Sequence, residues 1–265
     1  MLSFWQKYHS ASKKNKSLVC IGLDSDKDKI PACLSGEDNP QWIFNREIID
    51  ATRDIAACYK PNLAFYLANG RKGLDALYQT VSHIPPHIPI LLDCKVGDIG
   101  NTMSAYASAF FEDMGVDAMT VNPLMGHDVY DPCLDYPGKM IFLLALTSNP
   151  SAIDYLKYDN LYQNIAETIA KLDHTQVGAV VGATQGKDLK LMRKLMPDTL
   201  FLIPGIGAQG GNLLDVMEEA IKERHDPRIL INSSRNIIFA DGEGSFADTA
   251  AIKAEELKEQ INAYL

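Results

Sequence analysis

Three charged residues follow a short apolar run in the middle of the chain and could carry acid–base chemistry. The run 88–92 has the length and composition of a strand buried on both faces. Successive side chains on a strand alternate faces, so Asp93 and Lys95 should point the same way. Gly97 should turn the backbone and bring Asp98 back to the same end. An ammonium group between two carboxylates is costly to bury unless the charges pair, so the pattern indicates a site, with a purely structural ion pair as the alternative.

The composition is that of an ordinary globular protein. The chain has 265 residues, of which 46% are hydrophobic and 22% charged, enough for one large domain with a sizeable core. A net charge of −9 argues against a nucleic-acid-binding surface and against an anionic membrane as partner. No apolar run approaches the length needed to cross a bilayer.

The amino terminus and the cysteines indicate the compartment. Residues 1–16 are polar and basic, without the apolar centre of a signal peptide, so we expect a helix or a solvated arm there. The five cysteines are an odd number, widely scattered and without a C-x-x-C pair. A reducing compartment, and hence the cytoplasm, is therefore the predicted location.

Apolar runs alternate with helical patterns along the whole chain. Parallel strands covered on both faces read as such uninterrupted runs, and eight β-then-α units in about 250 residues predict a single (β/α)₈ TIM barrel over 1–265. A doubly wound open sheet is the alternative, but the glycine-rich turn expected after its first strand is missing. The predicted strands are 18–23, 58–62, 88–92, 118–121, 140–146, 177–181, 200–203 and 229–232. The predicted helices are 40–57, 74–81, 103–114, 161–172, 187–195, 213–224 and 247–265.

Polar residues stand where these strands end, and in such a barrel the active site lies at those carboxyl ends. The residues in order are Asp24, Lys60, Asp93 with Lys95, Asn122, Thr147 with Ser148, Thr184, Gln209 and Arg235. The six histidines are dispersed, and neither a serine nucleophile nor a Cys/His pair is evident. Chemistry would therefore rest on lysines and carboxylates.

The loop after the seventh strand predicts a phosphate site. Residues 204–211 contain four glycines, whose bare backbone lets several N–H groups converge on an anion. Gln209 adds an amide donor, and Arg235 in the next loop can pair with phosphate through two hydrogen bonds. The loops after strands seven and eight are the usual phosphate site of this barrel. The alternative is that the glycines serve only a tight turn.

Taken together, these motifs resemble the orotidine 5′-phosphate decarboxylase family in its longer bacterial form, the type 2 subfamily. The resemblance spans essentially the whole chain. Its motifs in order are Gly22-Leu23-Asp24, Lys60-Pro61-Asn62, the D-x-K-x-x-D-I-x-N-T of 93–102, Leu146-Thr147-Ser148-Asn149-Pro150, the glycine-rich loop 204–211 and Ser234-Arg235.

The resemblance implies a decarboxylase that converts orotidine 5′-monophosphate to UMP and CO₂, the last step of de novo pyrimidine nucleotide synthesis. Lys95 would give a proton to C6 as CO₂ leaves. Lys60, Asp93, Lys95 and Asp98 would form an alternating charged tetrad. No metal ion and no organic cofactor would be needed.

The resemblance also implies the binding residues and a homodimer. Asp24 would hold the ribose and the pyrimidine side, and Ser148 the pyrimidine edge. Gln209 and Arg235 would bind the 5′-phosphate. Asp98 and Thr102 would reach the neighbouring subunit's site and act in trans.

Two alternatives share parts of this pattern. The magnesium-dependent 3-keto-L-gulonate 6-phosphate decarboxylase has the same D-x-K-x-x-D motif but resembles a pattern with an acidic residue at the end of strand two, where this chain has Lys60. A barrel that only binds a phosphorylated metabolite would keep Gln209 and Arg235 without needing the four charges of the tetrad.

Overall fold

The sheet is a closed parallel barrel, as the sequence predicts. A computed structural model describes residues 2–184, 186–206, 210–242 and 244–265. Across these residues, eight strands pair in the order β2-β1-β8-β7-β6-β5-β4-β3. Single bridges from Tyr59 to Ile90 and from Asn62 to Asp93 join the two outermost strands and close the barrel. The strands are β1 Val19–Leu23, β2 Cys58–Pro61, β3 Leu91–Val96, β4 Ala118–Val121, β5 Met140–Leu146, β6 Val177–Val181, β7 Phe201–Ile203 and β8 Ile229–Ser233.

Helices connect the strands and cover the outside of the barrel. They are α1 Phe4–Asn15, α2 Pro40–Thr52, α3 Leu63–Leu67, α4 Gly70–His83, α5 Gly100–Ala107, α6 Asp131–Leu134, α7 Leu161–Ile169, α8 Gly186–Leu195, α9 Leu213–Glu219, α10 Arg235–Ile238 and α11 Phe246–Asn262. A π-helical stretch, Ser108–Asp113, extends α5. No helix in the described part of the chain is both long and apolar enough to cross a membrane.

Several helix limits differ from the sequence-based prediction. The predicted helix 40–57 ends at Thr52, because Ala57 N–H already donates to the Val19 carbonyl of β1 at 2.8 Å and so belongs to the sheet. The predicted helix 74–81 begins earlier, at Gly70, and the five-residue α3 is too short to show a helical period.

The third strand is not the one predicted. The strand is Leu91–Val96, so most of the predicted apolar run 88–92 precedes it. The N–H of Ile90, just before the strand, donates to the Asp117 carboxylate at 3.0 Å. Its pairing with β4 shifts register between Leu92 and Val96. Asp93 and Lys95 therefore lie inside an irregular strand end rather than after it.

Helix α1 closes the barrel at the amino-terminal ends of the strands. Phe4 is fully buried and meets Phe142 edge-on, with ring centroids 5.6 Å apart. Tyr8 donates its hydroxyl to the Ile229 carbonyl at 3.2 Å. Lys7 pairs with the buried Asp117 at 2.7 Å. Of the two forms predicted for 1–16, a helix or a solvated arm, the structure has the helix, and it seals the end of the barrel opposite the polar strand ends.

We predict that Phe4→Ala lowers the free energy of unfolding by about 3–5 kcal/mol, because it empties a fully buried aromatic site against Phe142. Urea unfolding followed by circular dichroism measures the change. The control is Leu2→Ala, whose side chain is 53% exposed and whose effect should stay within about 0.5 kcal/mol. Equal effects of the two changes would contradict the sealing role of α1.

Candidate active site

A cavity of about 340 Å³ opens at the carboxyl ends of the strands. This volume is within the range of small-molecule sites in proteins. Six of the nine residues expected to act in the site line it: Asp24, Lys60, Asp93, Lys95, Ser148 and Arg235. Polar residues that the sequence-based prediction did not assign to the site also line it, among them Asn62, Thr120, Asn149, Asn232 and Ser233.

Lys60 lies between two carboxylates at the base of the cavity. Its Nζ is 3.0 Å from Asp93 Oδ2 and 3.7 Å from Asp24 Oδ1, and the residue is 3% exposed. Burial alone would lower the pKa of Lys60, but the charges of Asp24 and Asp93 outweigh it and raise the pKa above its usual value. Lys60 is therefore a permanent buried cation.

Asp93 links this buried cation to a second ammonium group. Its Oδ1 lies 2.5 Å from the Nζ of Lys95, whose side chain is half exposed towards the cavity. Burial would raise the pKa of Asp93, but the charges of Lys60 and Lys95 outweigh it and hold the pKa well below its usual range. Asp24, Lys60, Asp93 and Lys95 thus form an alternating series of charges, which we call the charge row.

The backbone of Lys95 is in the left-handed region, with φ of +48°. For a residue with a side chain this conformation costs on the order of 1–3 kcal/mol, and it is found mainly where surrounding contacts enforce it. Asp93 and Lys95 do meet, but the reason derived from the sequence is wrong. Regular strand alternation does not bring them together, because the strand is distorted between Leu92 and Val96.

Two buried oxygen atoms at the cavity have no hydrogen-bond partner among the described residues: Asp24 Oδ1 and Asn232 Oδ1. For Asp24 Oδ1, the ammonium of Lys60 at 3.7 Å is an ion-pair neighbour beyond hydrogen-bond distance. Buried acceptors in proteins are nearly always satisfied, so each such atom requires an explanation. Both atoms are buried beneath the surface of the cavity, so a ligand donor reaches neither unless the wall moves.

Arg235 provides positive charge at another part of the cavity wall. It begins α10, its side chain is exposed, and it has no acidic partner in the part of the chain that the structure describes. Gly205, at the start of the glycine-rich loop, has φ of +100°, and its carbonyl accepts the Gly211 N–H at 3.0 Å. Gln209 lies outside the described residues.

Ser148 lies at the carboxyl end of β5, against the end of β6. Its carbonyl accepts a hydrogen bond from Thr184 Oγ1 at 2.7 Å. The backbone of Ser148 passes so close to Gly182 that a Cβ there would lie 2.6 Å from it, so only glycine fits. This close approach fixes the loop that carries Ser148 at the cavity wall.

Asp98 and Thr102 do not line the cavity of their own chain. Asp98 Oδ1 accepts the N–H of the adjacent Ile99 at 2.8 Å, and within the described residues Asp98 forms no ion pair. The sequence predicts that Gly97 brings Asp98 back to the same end as Asp93 and Lys95, and in the structure Asp98 does not join the charge row of its own chain. Thr102 is exposed in the first turn of α5.

Thr120 is the most important residue that the sequence-based analysis missed. It contacts Asp93, Cys94 and Lys95 through its hydroxyl group. The available signal was a single polar residue in the apolar strand Ala118–Val121. Because a buried hydroxyl needs hydrogen-bond partners, a threonine in this strand indicates a polar neighbour inside the barrel.

The cavity differs from a metal centre in its ligands and in its charge. Over the described ranges, no three His, Cys, Asp or Glu side chains are grouped so that they could hold a metal ion. The two carboxylates that come nearest to such a group, Asp24 and Asp93, are bridged by the ammonium of Lys60. The charge that a cation would supply is thus already present as a side chain.

Comparison with known proteins decides the family. A model of the orotidine 5′-phosphate decarboxylase / HUMPS family matches residues 17–249. The orotidine 5′-phosphate decarboxylases of Christiangramia forsetii and Bacteroides fragilis are 44% and 43% identical, over 95% and 94% of this chain and 95% and 93% of theirs. The solved orotidine monophosphate decarboxylase of Leishmania donovani is 34% identical and superimposes with a TM-score of 0.84, covering 99% of this chain and 98% of its own.

The chain belongs to this family. The family model and the relatives match this chain over nearly its full length. The matched part therefore includes every strand end that contributes to the cavity. Its charge row is therefore carried by a barrel of the orotidine 5′-phosphate decarboxylase family.

We predict that Asp93 makes this family member lose stability in acid. The charges of Lys60 and Lys95 hold the pKa of Asp93 in the folded chain below the ordinary value of 3.8. The resulting stabilisation is complete above that value and is lost as pH falls below it towards the folded pKa. Urea unfolding between pH 7 and pH 3 should therefore show a steeper loss below about pH 4 for the wild type than for Asp93→Asn.

The control for this titration is Asp38→Asn, the same chemical change at a fully exposed side chain. Asp38→Asn should keep the wild-type slope in acid. Identical slopes for the wild type and Asp93→Asn would contradict the pairing of Asp93 with Lys60 and Lys95.

Proposed function

We propose that this chain is a carboxy-lyase that converts orotidine 5′-monophosphate to UMP and CO₂, the last step of de novo pyrimidine nucleotide synthesis. The observation that carries the proposal is the charge row, which ends in the half-exposed Lys95 inside the cavity. Arg235, which has no acidic partner among the described residues, lines the same cavity and suits an anionic phosphate. Relatives named orotidine 5′-phosphate decarboxylase, 41–44% identical over most of the chain, support the same reaction.

The polar groups of the cavity suggest how the nucleotide binds. Arg235 would bind the 5′-phosphate, together with Gln209. The carboxylate of Asp24, which lines the cavity, would accept a hydrogen bond from a ribose hydroxyl. Ser148 would bind the pyrimidine edge from the loop that follows β5. Binding energy from the phosphate, far from the reacting carbon, could then be used to orient the pyrimidine ring.

Lys95 would then carry the chemistry. The bond from C6 to the carboxylate carbon breaks and CO₂ leaves. The electron pair of the broken bond stays on C6, which becomes a carbanion. A fixed ammonium at C6 stabilises this charge as it develops and afterwards supplies the proton that gives UMP. Asp93 holds the ammonium in position at 2.5 Å, and Lys60 compensates the charge of Asp93 on its other side at 3.0 Å.

The proposed reaction uses neither a metal ion nor an organic cofactor. The magnesium-dependent alternative requires an acidic residue at the end of β2, and Lys60 stands there. The Lys60 ammonium lies within 4 Å of both Asp24 and Asp93, so a second cation between them would be repelled.

We propose that the active unit is a homodimer in which Asp98 and Thr102 complete the partner's site. Both residues lie outside the cavity of their own chain, as a contribution in trans requires. Ile99, Leu124 and Met125 follow β3 and β4 and are each about half exposed, which suits an apolar contact with a second copy.

The proposal includes the longer bacterial form of the enzyme, the type 2 subfamily, acting as one domain over the whole chain. Identity of 41–44% to relatives of nearly equal length supports it. Five free cysteines suit a reducing cytoplasm. The net charge of −9 gives no reason to expect nucleic acid or an anionic membrane as partner.

We predict that the purified protein decarboxylates orotidine 5′-monophosphate in excess EDTA and that Lys95→Ala abolishes turnover. The loss of pyrimidine absorbance measures the reaction. Arg235→Ala should instead act mainly through KM, because it removes a phosphate contact but leaves the charge row intact. A folded wild type that leaves the substrate unchanged would contradict the proposal, and so would a wild type whose turnover is lost in EDTA.

We predict that mixing two inactive variants, Lys95→Ala and Asp98→Asn, restores activity. If Asp98 acts in trans, each mixed dimer has one site with an intact Lys95 and an intact Asp98. Random exchange of subunits then restores about a quarter of the wild-type sites. The assay is turnover after co-refolding of equal amounts of the two variants.

The matched control for this mixing experiment is Lys95→Ala with Asp93→Asn. These two residues are in contact within one chain, so no mixed site contains both intact side chains. Failure of the Asp98→Asn mixture to recover would show that Asp98 does not act across the dimer. Equal recovery in the control would show that the recovered activity does not come from a residue contributed in trans.

A further inference from the structure

Thr120 lies on β4 directly beside the distorted end of β3. It is 1% exposed and lines the cavity. We propose that Thr120 is a positioning residue, whose hydroxyl group fixes the backbone of Lys95 and the carboxylate of Asp93 in one arrangement. The proposal rests on the proposed function, because it assigns to Thr120 the alignment of the ammonium that would protonate C6.

The hydrogen bonds of Thr120 use the full capacity of its hydroxyl group. Oγ1 accepts the N–H of Cys94 at 3.0 Å and the N–H of Lys95 at 2.9 Å. A backbone N–H can only donate, so these two bonds occupy both acceptor positions of the oxygen. The hydroxyl proton must then point to the remaining neighbour, Asp93 Oδ1, at 2.9 Å. The direction of each bond is thus determined by chemistry alone.

These hydrogen bonds replace the regular strand pairing, which is interrupted at this point. Regular pairing of β3 with β4 stops at Leu92 and resumes only at Val96. Between them, the N–H groups of Cys94 and Lys95 turn to a side chain instead of a strand carbonyl. Without the hydroxyl oxygen these two donors would lose their acceptor, and the left-handed backbone of Lys95 would lose its support.

The consequence is that Lys95 is held at both ends. Thr120 binds its backbone N–H directly, and Asp93, oriented by the Thr120 hydroxyl, binds its ammonium at 2.5 Å. Thr120 makes no contact with the ammonium itself. The branching of threonine at Cβ restricts its χ1 rotation, so the hydroxyl is presented in a fixed direction.

The test compares Thr120→Val with Thr120→Ser. Valine keeps the shape but removes the hydroxyl, and serine keeps the hydroxyl. We expect Thr120→Val to lower kcat about 100-fold, as a displacement of about 1 Å at a reacting group does. KM and the dissociation constant of UMP should change by less than about threefold, because the phosphate contacts remain. Thr120→Ser should restore kcat to within about fivefold of the wild type.

Thr80→Val is the matched control for burying valine in place of threonine. Thr80 is fully buried, its Oγ1 accepts a hydrogen bond from Asn45 at 3.0 Å, and it is remote from the cavity lining. It should affect unfolding without changing kcat. A kcat for Thr120→Val within threefold of the wild type would overturn the proposal, as would an equal fall for Thr120→Ser.

A second measurement does not depend on the folding of the valine variant. Amide hydrogen exchange by NMR should find the N–H groups of Cys94 and Lys95 protected in the wild type and in Thr120→Ser. Exchange at the rate of free amides would overturn the proposal, since the hydrogen bonds to Thr120 would then be absent. This outcome is independent of turnover, so it is distinguishable from failure of the proposed reaction.

Discussion

A single buried ammonium group, that of Lys60, is the interaction on which the cavity depends. It carries the only charge that compensates both Asp24 and the inner side of Asp93 among the described residues. Removing one member of such a buried set leaves its neighbours uncompensated, at a cost of about 3–5 kcal/mol. The row also runs from β1 past β2 to β3, and in the described part of the chain β2 and β3 are joined by the single bridges Tyr59–Ile90 and Asn62–Asp93. The ion pairs therefore span the place where the sheet is joined by isolated bridges.

This arrangement separates the task of folding from that of chemistry. The amino-terminal end of the barrel is packed with apolar side chains and sealed by α1, through contacts such as Phe4 with Phe142. The carboxyl end holds the charges, two unsatisfied acceptors and the strained backbone of Lys95. A rigid scaffold allows charged groups to be aligned before the substrate arrives, which is what electrostatic stabilisation of a developing carbanion requires.

Much of the fold could be predicted from the sequence, because buried parallel strands give continuous apolar runs and polar residues follow them. The strands and the residues at their carboxyl ends were predicted on this basis, and six of nine expected site residues line the cavity. The irregular part of β3 could not be predicted. The φ of +48° at Lys95 depends on acceptors that β4 supplies from 25 residues away in the sequence. A local pattern such as D-x-K contains no information about that partner, and the same holds for Asp98, whose proposed role depends on a second chain.

The D-x-K-x-x-D motif alone does not determine which reaction such a barrel performs. Asp93 of this motif and Asp24 at the end of β1 pose one electrostatic problem, since two negative charges at the base of the cavity need a cation between them. An acidic residue at the end of β2 would add to that problem and require a divalent metal ion. The ammonium of Lys60 supplies this cation, so no uncompensated negative charge is left to bind a metal ion, and Lys95 can face the cavity. The chemistry is therefore decided by the residue on the neighbouring strand, and the motif becomes informative only when the two are considered together.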